Sequence, residues 1–432
     1  MLDFSVANSE INARLAATVS DSAAGYRARV IRNAAELKDL RGAWRAFECH
    51  PFVEMDFYLA ILRARTPNVR PFVIAISNKD GVAGILIGRL EKAPREIRFG
   101  YRTFTCGQLR RLIVPHGGLI GNWNREMYQL AATTLSKSLS NHDADVLELA
   151  GLPITSPLRS AIRGERPRFG IPVYGPIQEH WTMTLPQAGQ DPVSRLGKRA
   201  RGNTARERRV FEREFANQFE FLRFVAQCEV PELVEACEAI ARTTYHRRLG
   251  FGFSGNDEMR SRLTLEAKRD RLRAYVLYIH HKPAAFWICT LSGPTLYLDY
   301  TAFSPEYRKY DVGKVSFLYL LEDIRDNTDA RTADFGSGEG FLKRVFGDAV
   351  EQESSLYVFS NAFRNVAWAL ALRACTVIDR SARGLLRATG QFDKIKRIWR
   401  KRSFSQSVPH TSGRDTLAHE GSRHSTRKGH LL

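Results

Sequence analysis

Between residues 272 and 303 the chain alternates three β-forming apolar runs with two tight polar turns, His281-Lys282-Pro283 and Ser292-Gly293-Pro294. That spacing predicts strands over 272–280, 284–291 and 295–303. Apolar residues then recur at helical spacing, which predicts a helix over 313–325, a strand over 331–335, a short helix over 340–346 and a strand over 356–359. Upstream lie a strongly basic helical stretch at 194–218, a helix over 232–249 opened by Pro231 and closed by Gly250, and another helix over 256–271. The first half repeats this order loosely. Runs 73–77 and 82–89 flank the turn Asn78-Lys79-Asp80-Gly81, so a hairpin is expected, with further strands at 97–104 and 111–114. Met127, Leu130, Ala131, Leu135 and Leu139 line one face of a helix over 125–140, followed by a strand at 146–149. Pro153, Pro157, Pro167, Pro172 and Pro176 suggest a linker.

The expected fold class is therefore α/β (α+β), with two mixed sheets flanked by helices, a domain at 26–180 and a second at 181–360. Residues 1–25 are expected to be loosely held, 361–402 to form a basic helical extension, and 403–432 to be a disordered tail.

Composition sharpens this only in places. With 432 residues and 44% hydrophobic content, the chain exceeds one ordinary core. No run of about 18 apolar residues occurs and no compact apolar block opens the chain, so the cytoplasm is the expected location. The six cysteines show no metal-ligand spacing, and neither does His280-His281, so no metal is expected. The net charge of +19 is concentrated. Residues 364–432 hold 15 Lys/Arg against 4 Asp/Glu, and 195–213 hold 8 against 2, so these two segments carry 17 of the 19 net charges. Such surfaces suit an anionic partner, whether a nucleotide-like cofactor, a lipid surface or RNA.

The strongest chemical signal lies at 295–347. A strand feeds a helix through the basic turn Ser304-Pro-Glu-Tyr-Arg-Lys-Tyr-Asp-Val-Gly-Lys314. A helix N-terminus beside cations is a candidate diphosphate cradle. The next strand delivers Asp334, Glu339 and Lys343 near the same end of the sheet.

These residues resemble the GNAT acyltransferases, whose loop pattern is Gln/Arg-x-x-Gly-x-Gly/Ala. Here it reads Arg308-Lys309-Tyr310-Asp311-Val312-Gly313, with Asp311 in place of the first glycine. Within that superfamily the chain is similar to the CelD/BcsL-like branch associated with cellulose biosynthesis, through Asp334-Phe335-Gly336-Ser337-Gly338 and Phe341-Leu342-Lys343. FemAB-like aminoacyltransferases, which are tandem GNAT folds, share a related block. The basic stretch Lys198-Arg199-Ala200-Arg201-Gly202-Asn203-Thr204-Ala205-Arg206 is similar to both groups. The resemblance implies tandem GNAT-like domains and acyl transfer from acyl-CoA to an amino or hydroxyl group, the acceptor being a small molecule or saccharide such as a polysaccharide or cell-envelope precursor. It implies cofactor contacts at Thr301, Ala302, Phe303, Arg308, Lys309, Tyr310, Val312, Gly313 and Lys314, and acceptor contacts at His246, Arg248, Arg199 and Arg201.

Each candidate also has a plainer explanation. Asp334 suits proton acceptance or acceptor orientation, and equally a turn at a strand end. Lys343 suits oxyanion stabilisation, and equally a helix surface. Glu339 is a weaker candidate base. Asp299 and Tyr300 are expected on opposite faces of their strand, with Tyr300 a candidate proton donor or a packed tyrosine. Asp311 is expected to cap the following helix. His246 and Arg248 also suit a helix C-terminus. Two other functions compete. One is a FemAB-like transferase using aminoacyl-tRNA, with nucleic acid the less favoured partner. The other is a non-catalytic adaptor whose basic segment at 394–402 docks peripherally on anionic membrane.

Overall fold

The computed structural model describes residues 19–21, 25–47, 50–99, 102–165, 170–244, 247 and 252–388. In chain order these form β1 (Val19–Asp21), β2 (Arg27–Ile31), α1 (Arg41–Ala46), α2 (Met55–Ala64), β3 (Val69–Asn78), β4 (Gly81–Phe99), β5 (Arg102–Val114) and β6 (Leu119–Gly121). Next come α3 (Arg125–Ser140), β7 (Val146–Pro153), α4 (Pro157–Gly164), β8 (Ile171–Tyr174) and β9 (Gln178–Thr184). The second half contributes α5 (Lys198–Glu214), β10 (Phe219–Phe224), α6 (Val230–Thr243), α7 (Asp257–Lys268), β11 (Leu272–Ile279), β12 (Lys282–Ser292), β13 (Thr295–Phe303), α8 (Val312–Asn327), β14 (Thr332–Ser337), α9 (Phe341–Phe346), β15 (Ala349–Phe359) and α10 (Phe363–Ala388). Contacts divide the chain into Met1–Asp379 and Arg380–Leu432. All the strands lie in the first unit; of the second, only the end of α10 is described.

Local sequence explains most boundaries. Asn124 and Asn256 cap α3 and α7 by accepting from the amides of Met127 and Met259. Pro157 and Pro231 stand in the first turns of α4 and α6, where a missing N–H does no harm. The proline-rich stretch expected to be a linker therefore holds a helix and β8.

The two halves share one mixed sheet. Among the described residues its order is β1-β2-β3-β4-β5-β7-β15-β9-β14-β13-β12-β11-β10, with β6 beside β4 and β8 beside β15. β15, late in sequence, runs antiparallel to β7 along one edge and to β9 and then β8 along the other. The expected boundary at 180/181 thus falls inside β9.

Helices cover both faces. In the first half α3 and α4 bury Leu130, Leu135, Leu158 and Ile162 against one face, while Trp44, Met55, Tyr58 and Leu62 cover the other. In the second half α8 packs Phe317, Leu320, Leu321 and Ile324 against β12–β14. α6 and α7 seal the opposite face with Leu233, Val234, Ile240 and Leu263. Each such fully buried side chain contributes roughly 1.5–3 kcal/mol. Ion pairs join α2 to α7, including Arg65 Nη2 to Glu258 Oε1 at 2.8 Å and Arg269 to Glu54 and Asp56.

Candidate functional site: a split sheet with a histidine cluster at its apex

β13 and β14 run parallel but pair over three residues only, Thr295 with Thr332, Leu296 with Ala333 and Tyr297 with Asp334. Beyond that point β13 continues along β12, and β14 turns to β9. The sheet opens there into a V with Tyr297 and Asp334 at its apex. Two bulges cause the opening. On β13, Leu298 faces Cys289 and Tyr300 faces Ile288, which leaves Asp299 as an extra residue. On β14, Asp334 faces Thr182 and Gly336 faces Trp181, which leaves Phe335 extra.

The first bulge corrects the expectation for Asp299 and Tyr300. An extra residue breaks the two-residue alternation, so both reach Arg262 of α7 rather than opposite faces. Asp299 Oδ2 accepts from Arg262 Nη2 at 2.5 Å and from Thr290 Oγ1 at 2.7 Å, and the Arg262 guanidinium stands 5.6 Å from the Tyr300 ring centre. Asp299 is a buried structural carboxylate; Tyr300 packs beside Phe253.

At the apex Asp334 is firmly held. Its Oδ1 accepts from His180 Nε2 at 2.8 Å and from the Gly336 amide at 2.6 Å. His180 also faces Glu353, with Nδ1 3.4 Å from Oε2, and the same oxygen lies 3.4 Å from His116 Nδ1. The His116 and His180 rings stack with centres 5.1 Å apart, and His116 Nδ1 lies 3.0 Å from the Gly151 carbonyl. That approach requires glycine. Gly151 has φ +55°, and a Cβ there would sit 3.0 Å from His116 Nδ1. Ser337 donates its hydroxyl to Glu353 Oε1. His50 completes the group, edge-on to Tyr297 at 4.4 Å, its Nδ1 accepting from the Phe52 amide at 3.2 Å.

The electrostatics follow from these contacts. The hydrogen bond to Asp334 and then the facing Glu353 carboxylate raise His180 to about 10 against the opposing effect of burial. The Glu353 contact likewise raises His116. Burial pushes Glu353 upward, but the two imidazoles outweigh it and hold it at about 2. Asp334 is lowered in the same way, His180 outweighing burial. His50 drops to about 4, chiefly by burial and then by His116, so it is a neutral ring.

The other expected residues scatter. Lys343 lies beside the apex, where Nζ donates to the carbonyls of Gly336 at 2.9 Å and Ser337 at 2.7 Å, and burial lowers its pKa. Glu339 is exposed and stands 4.0 Å from Arg344. Thr301 Oγ1 donates to the Phe286 carbonyl at 3.0 Å, and Ala302 packs into the α6–α7 core.

At the start of α8, Val312 is buried, Tyr310 donates to Glu214, and Arg308 and Lys309 are exposed. A Cβ on Gly313 would lie 3.1 Å from Phe303 Cδ1. Lys314 is buried and ion-paired with Glu207 of α5. Asp311 does not cap α8 with its side chain as expected. It adopts φ 49°, ψ 37°, and its carbonyl, not its carboxylate, accepts from the Lys314 and Val315 amides at 2.8 and 3.0 Å.

On α5, Arg201 Nη2 donates to the Ser194 and Leu196 carbonyls, and Arg199 is exposed. His246, Arg248 and the basic segment at 394–402 lie outside the described residues, as does the tail at 403–432.

His50, His116, His180 and Glu353 were missed from sequence. They lie in four separate stretches, and only the strand order brings them together.

The fold is that of a mixed α/β protein with a large central sheet, and residues 198–344 match the family model of the acetyltransferase (GNAT) domain. Among solved structures, the chain is similar to L-PGS from Bacillus licheniformis, at 14% identity over 79% of this chain and 98% of that one, with TM-score 0.48. It is also similar to a tandem GNAT protein from the clavulanic acid biosynthesis pathway, at 13% identity over 77% and 99%, with TM-score 0.47, and to FemX, at 10% identity over 75% and 96%, with TM-score 0.49. No curated protein matches the chain.

Proposed function

We propose that this chain transfers an acyl group from acyl-CoA to an amino or hydroxyl group held at the apex between β13 and β14. The observation that carries this reading is the split after Tyr297 and Asp334, with a fixed carboxylate and a ring of histidines at its vertex. The strand edge from Leu298 to Phe303 faces the opening and offers backbone groups for the donor's amides and thioester carbonyl. The Lys314 and Val315 amides of α8 already bond to the Asp311 carbonyl, so it is the Val312 and Gly313 amides at the tip of the helix that, with Arg308 and Lys309, suit a diphosphate. Both hydrogen bonds to Asp334 fall on Oδ1, which leaves Oδ2 to take the acceptor's proton. The acceptor's lone pair attacks the thioester carbon, its proton passes to Oδ2, the new C–N or C–O bond forms, the C–S bond breaks, and the thiolate leaves with a proton from water. Lys343 positions the Gly336–Ser337 turn that holds Asp334. In line with the CelD/BcsL-like resemblance, the acceptor we propose is a saccharide or cell-envelope precursor.

One observation favours a second reading. The exposed Asp311 carboxylate and the Glu207–Lys314 pair place acid at the diphosphate corner. A FemAB-like donor, an aminoacyl ester on tRNA, needs no diphosphate there. The test is a thermal-shift series with acetyl-CoA, longer acyl-CoAs, free CoA and aminoacyl-tRNA. Stabilisation by an acyl-CoA with turnover of its thioester supports the first reading. No acyl-CoA shift, with tRNA binding that falls steeply with salt, replaces it by the second.

No helix among the described residues is long and apolar enough to cross a membrane. Peripheral docking on anionic lipid through 394–402 is a further part of the proposal, tested by liposome pelleting before and after truncation at Gly390.

A further inference from the structure

The apex cluster has a property that acyl transfer does not use. His116 from the loop after β5, His180 from β9 and Glu353 from β15 each bring one donor atom within 4.8 Å of the others. Hydrogen bonding fixes what His180 offers. Its Nε2 lies 2.8 Å from Asp334 Oδ1, which can only accept, so Nε2 carries a proton. In its neutral form the ring then turns a lone pair inward at Nδ1. That atom is buried and has no hydrogen-bond partner. Its neighbour, Glu353 Oε2, is another acceptor, 3.4 Å away.

Two facing acceptors need a cation between them. A charged N–H···O bond runs to about 2.7–2.9 Å. Two donors about 2.1 Å from a tetrahedral ion stand about 3.4 Å apart. The observed separation matches the second case. The surroundings match as well, because bound histidines commonly donate their second N–H to a carboxylate or carbonyl. His180 does so to Asp334, and His116 Nδ1 stands 3.4 Å from Glu353 Oε2, the same separation as in the His180 pair, and 3.0 Å from the Gly151 carbonyl. The second oxygen of Glu353 takes the Ser337 hydroxyl.

We propose that His116, His180 and Glu353 bind a divalent transition ion of the zinc type. Two imidazoles and one carboxylate suit such an ion and not the oxygen-seeking Mg²⁺ or Ca²⁺. Three protein ligands leave a fourth position for water or a substrate oxygen. The ion ties the loop after β5 to β9 and β15, across the junction of the two halves. The inference stands apart from the acyl-transfer reading and runs against the sequence expectation of no metal. Residues 116, 180 and 353 have no motif spacing, and only the order β5-β7-β15-β9 makes them neighbours.

The test uses the untagged full chain, stripped with a chelator and then given Zn²⁺ or Co²⁺ alone. The expected result is one ion per chain, a rise in melting temperature with Zn²⁺, and visible absorption bands of tetrahedral Co²⁺. Glu353→Gln and His116→Ala should each weaken Zn²⁺ binding at least tenfold, with folding checked by circular dichroism. His50→Ala, whose ring centre lies 5.6 Å from His116, should bind as the parent does. A stripped parent protein that takes up no stoichiometric ion overturns the proposal, whatever the variants do. So does uptake that Glu353→Gln and His116→Ala leave unchanged.

Discussion

Replacing Arg262 by Met should be among the most damaging single substitutions in the second half. The Arg262 and Asp299 side chains are 7% and 3% exposed, and Nη2 stands 2.5 Å from Oδ2. The guanidinium also lies 4.4 Å from the centre of the Phe52 ring, so it bridges α7, the β13 bulge and the segment that carries His50. Removing one partner of such a pair strands the other charge and costs about 3–5 kcal/mol. Asp299 has little other support beyond the Thr290 hydroxyl. The double variant Arg262→Met/Asp299→Asn removes both charges, together with the buried Arg262 Nε that lacks a partner. It should recover at least half of the loss.

The sign of the pH dependence is a second check. Burial already raises Asp299 above its usual value with Arg262 opposing, and loss of Arg262 raises it further. A carboxyl raised in the folded state favours folding less as pH climbs from about 4. The deficit of Arg262→Met should therefore shrink on acidification and widen towards neutrality. Urea unfolding at several pH values measures both effects. A loss below about 1 kcal/mol at neutral pH, or a double variant no better than the single one, would refute the reasoning.

Asp145 takes bonds from the Arg110 amide at 2.9 Å, the Arg110 guanidinium and Asn365 of α10, and although burial opposes, these hold it at about 2. Asp145→Asn should lower stability by about 2 kcal/mol at pH 7, and the difference from the parent, measured by denaturant unfolding, should vanish as pH falls through about 2. Lys343→Ala frees the Gly336 and Ser337 carbonyls, so turnover should fall about tenfold while donor KM moves less than about twofold; unchanged turnover in steady-state assays removes Lys343 from the site. Gly313→Trp must displace Phe303 and should weaken acyl-CoA binding at least about tenfold, or 1.4 kcal/mol, with the fold intact; a full thermal shift in that variant moves the donor site elsewhere.

Elements in both halves were legible where their signals are local. The strand over 295–303 and the helix over 125–140 coincide with the observed bounds, since turn residues and capping asparagines stand at their ends. The linker expected from Pro153 to Pro176 was misread because proline serves equally well in a helix's first turn, as at Pro157. The runs expected at 97–104 and 111–114 proved to be the ends of one long hairpin, β4–β5, because β-formers alone do not show where a strand turns back. Asp299 was misplaced because a bulge leaves no local mark in sequence. Of the site, Asp334 and Lys343 were visible through their glycine-flanked block. The histidines were not, because each is an unremarkable residue within its own element.

The continuity of the sheet bears on how the site works. Were the halves separate domains, the GNAT-type half would carry its own complete apex. Instead Tyr297 and Asp334 come from that half, His50 and His116 from the other, and His180 and Glu353 from β9 and β15, which stitch the two together. The split in the sheet is local to β13 and β14, but the polar wall facing it is assembled over the whole length of the chain. The first half therefore cannot be a passive platform. It supplies a neutral imidazole and, through Gly151, the opening in which His116 meets Glu353. A fragment confined to 181–360 keeps the bulge at Asp299 but loses half of the apex and the cover that Phe52 gives to Arg262. Activity and stability should then fail together, because the same α2–α7 contacts that bury Arg262 also bring His50 to the vertex.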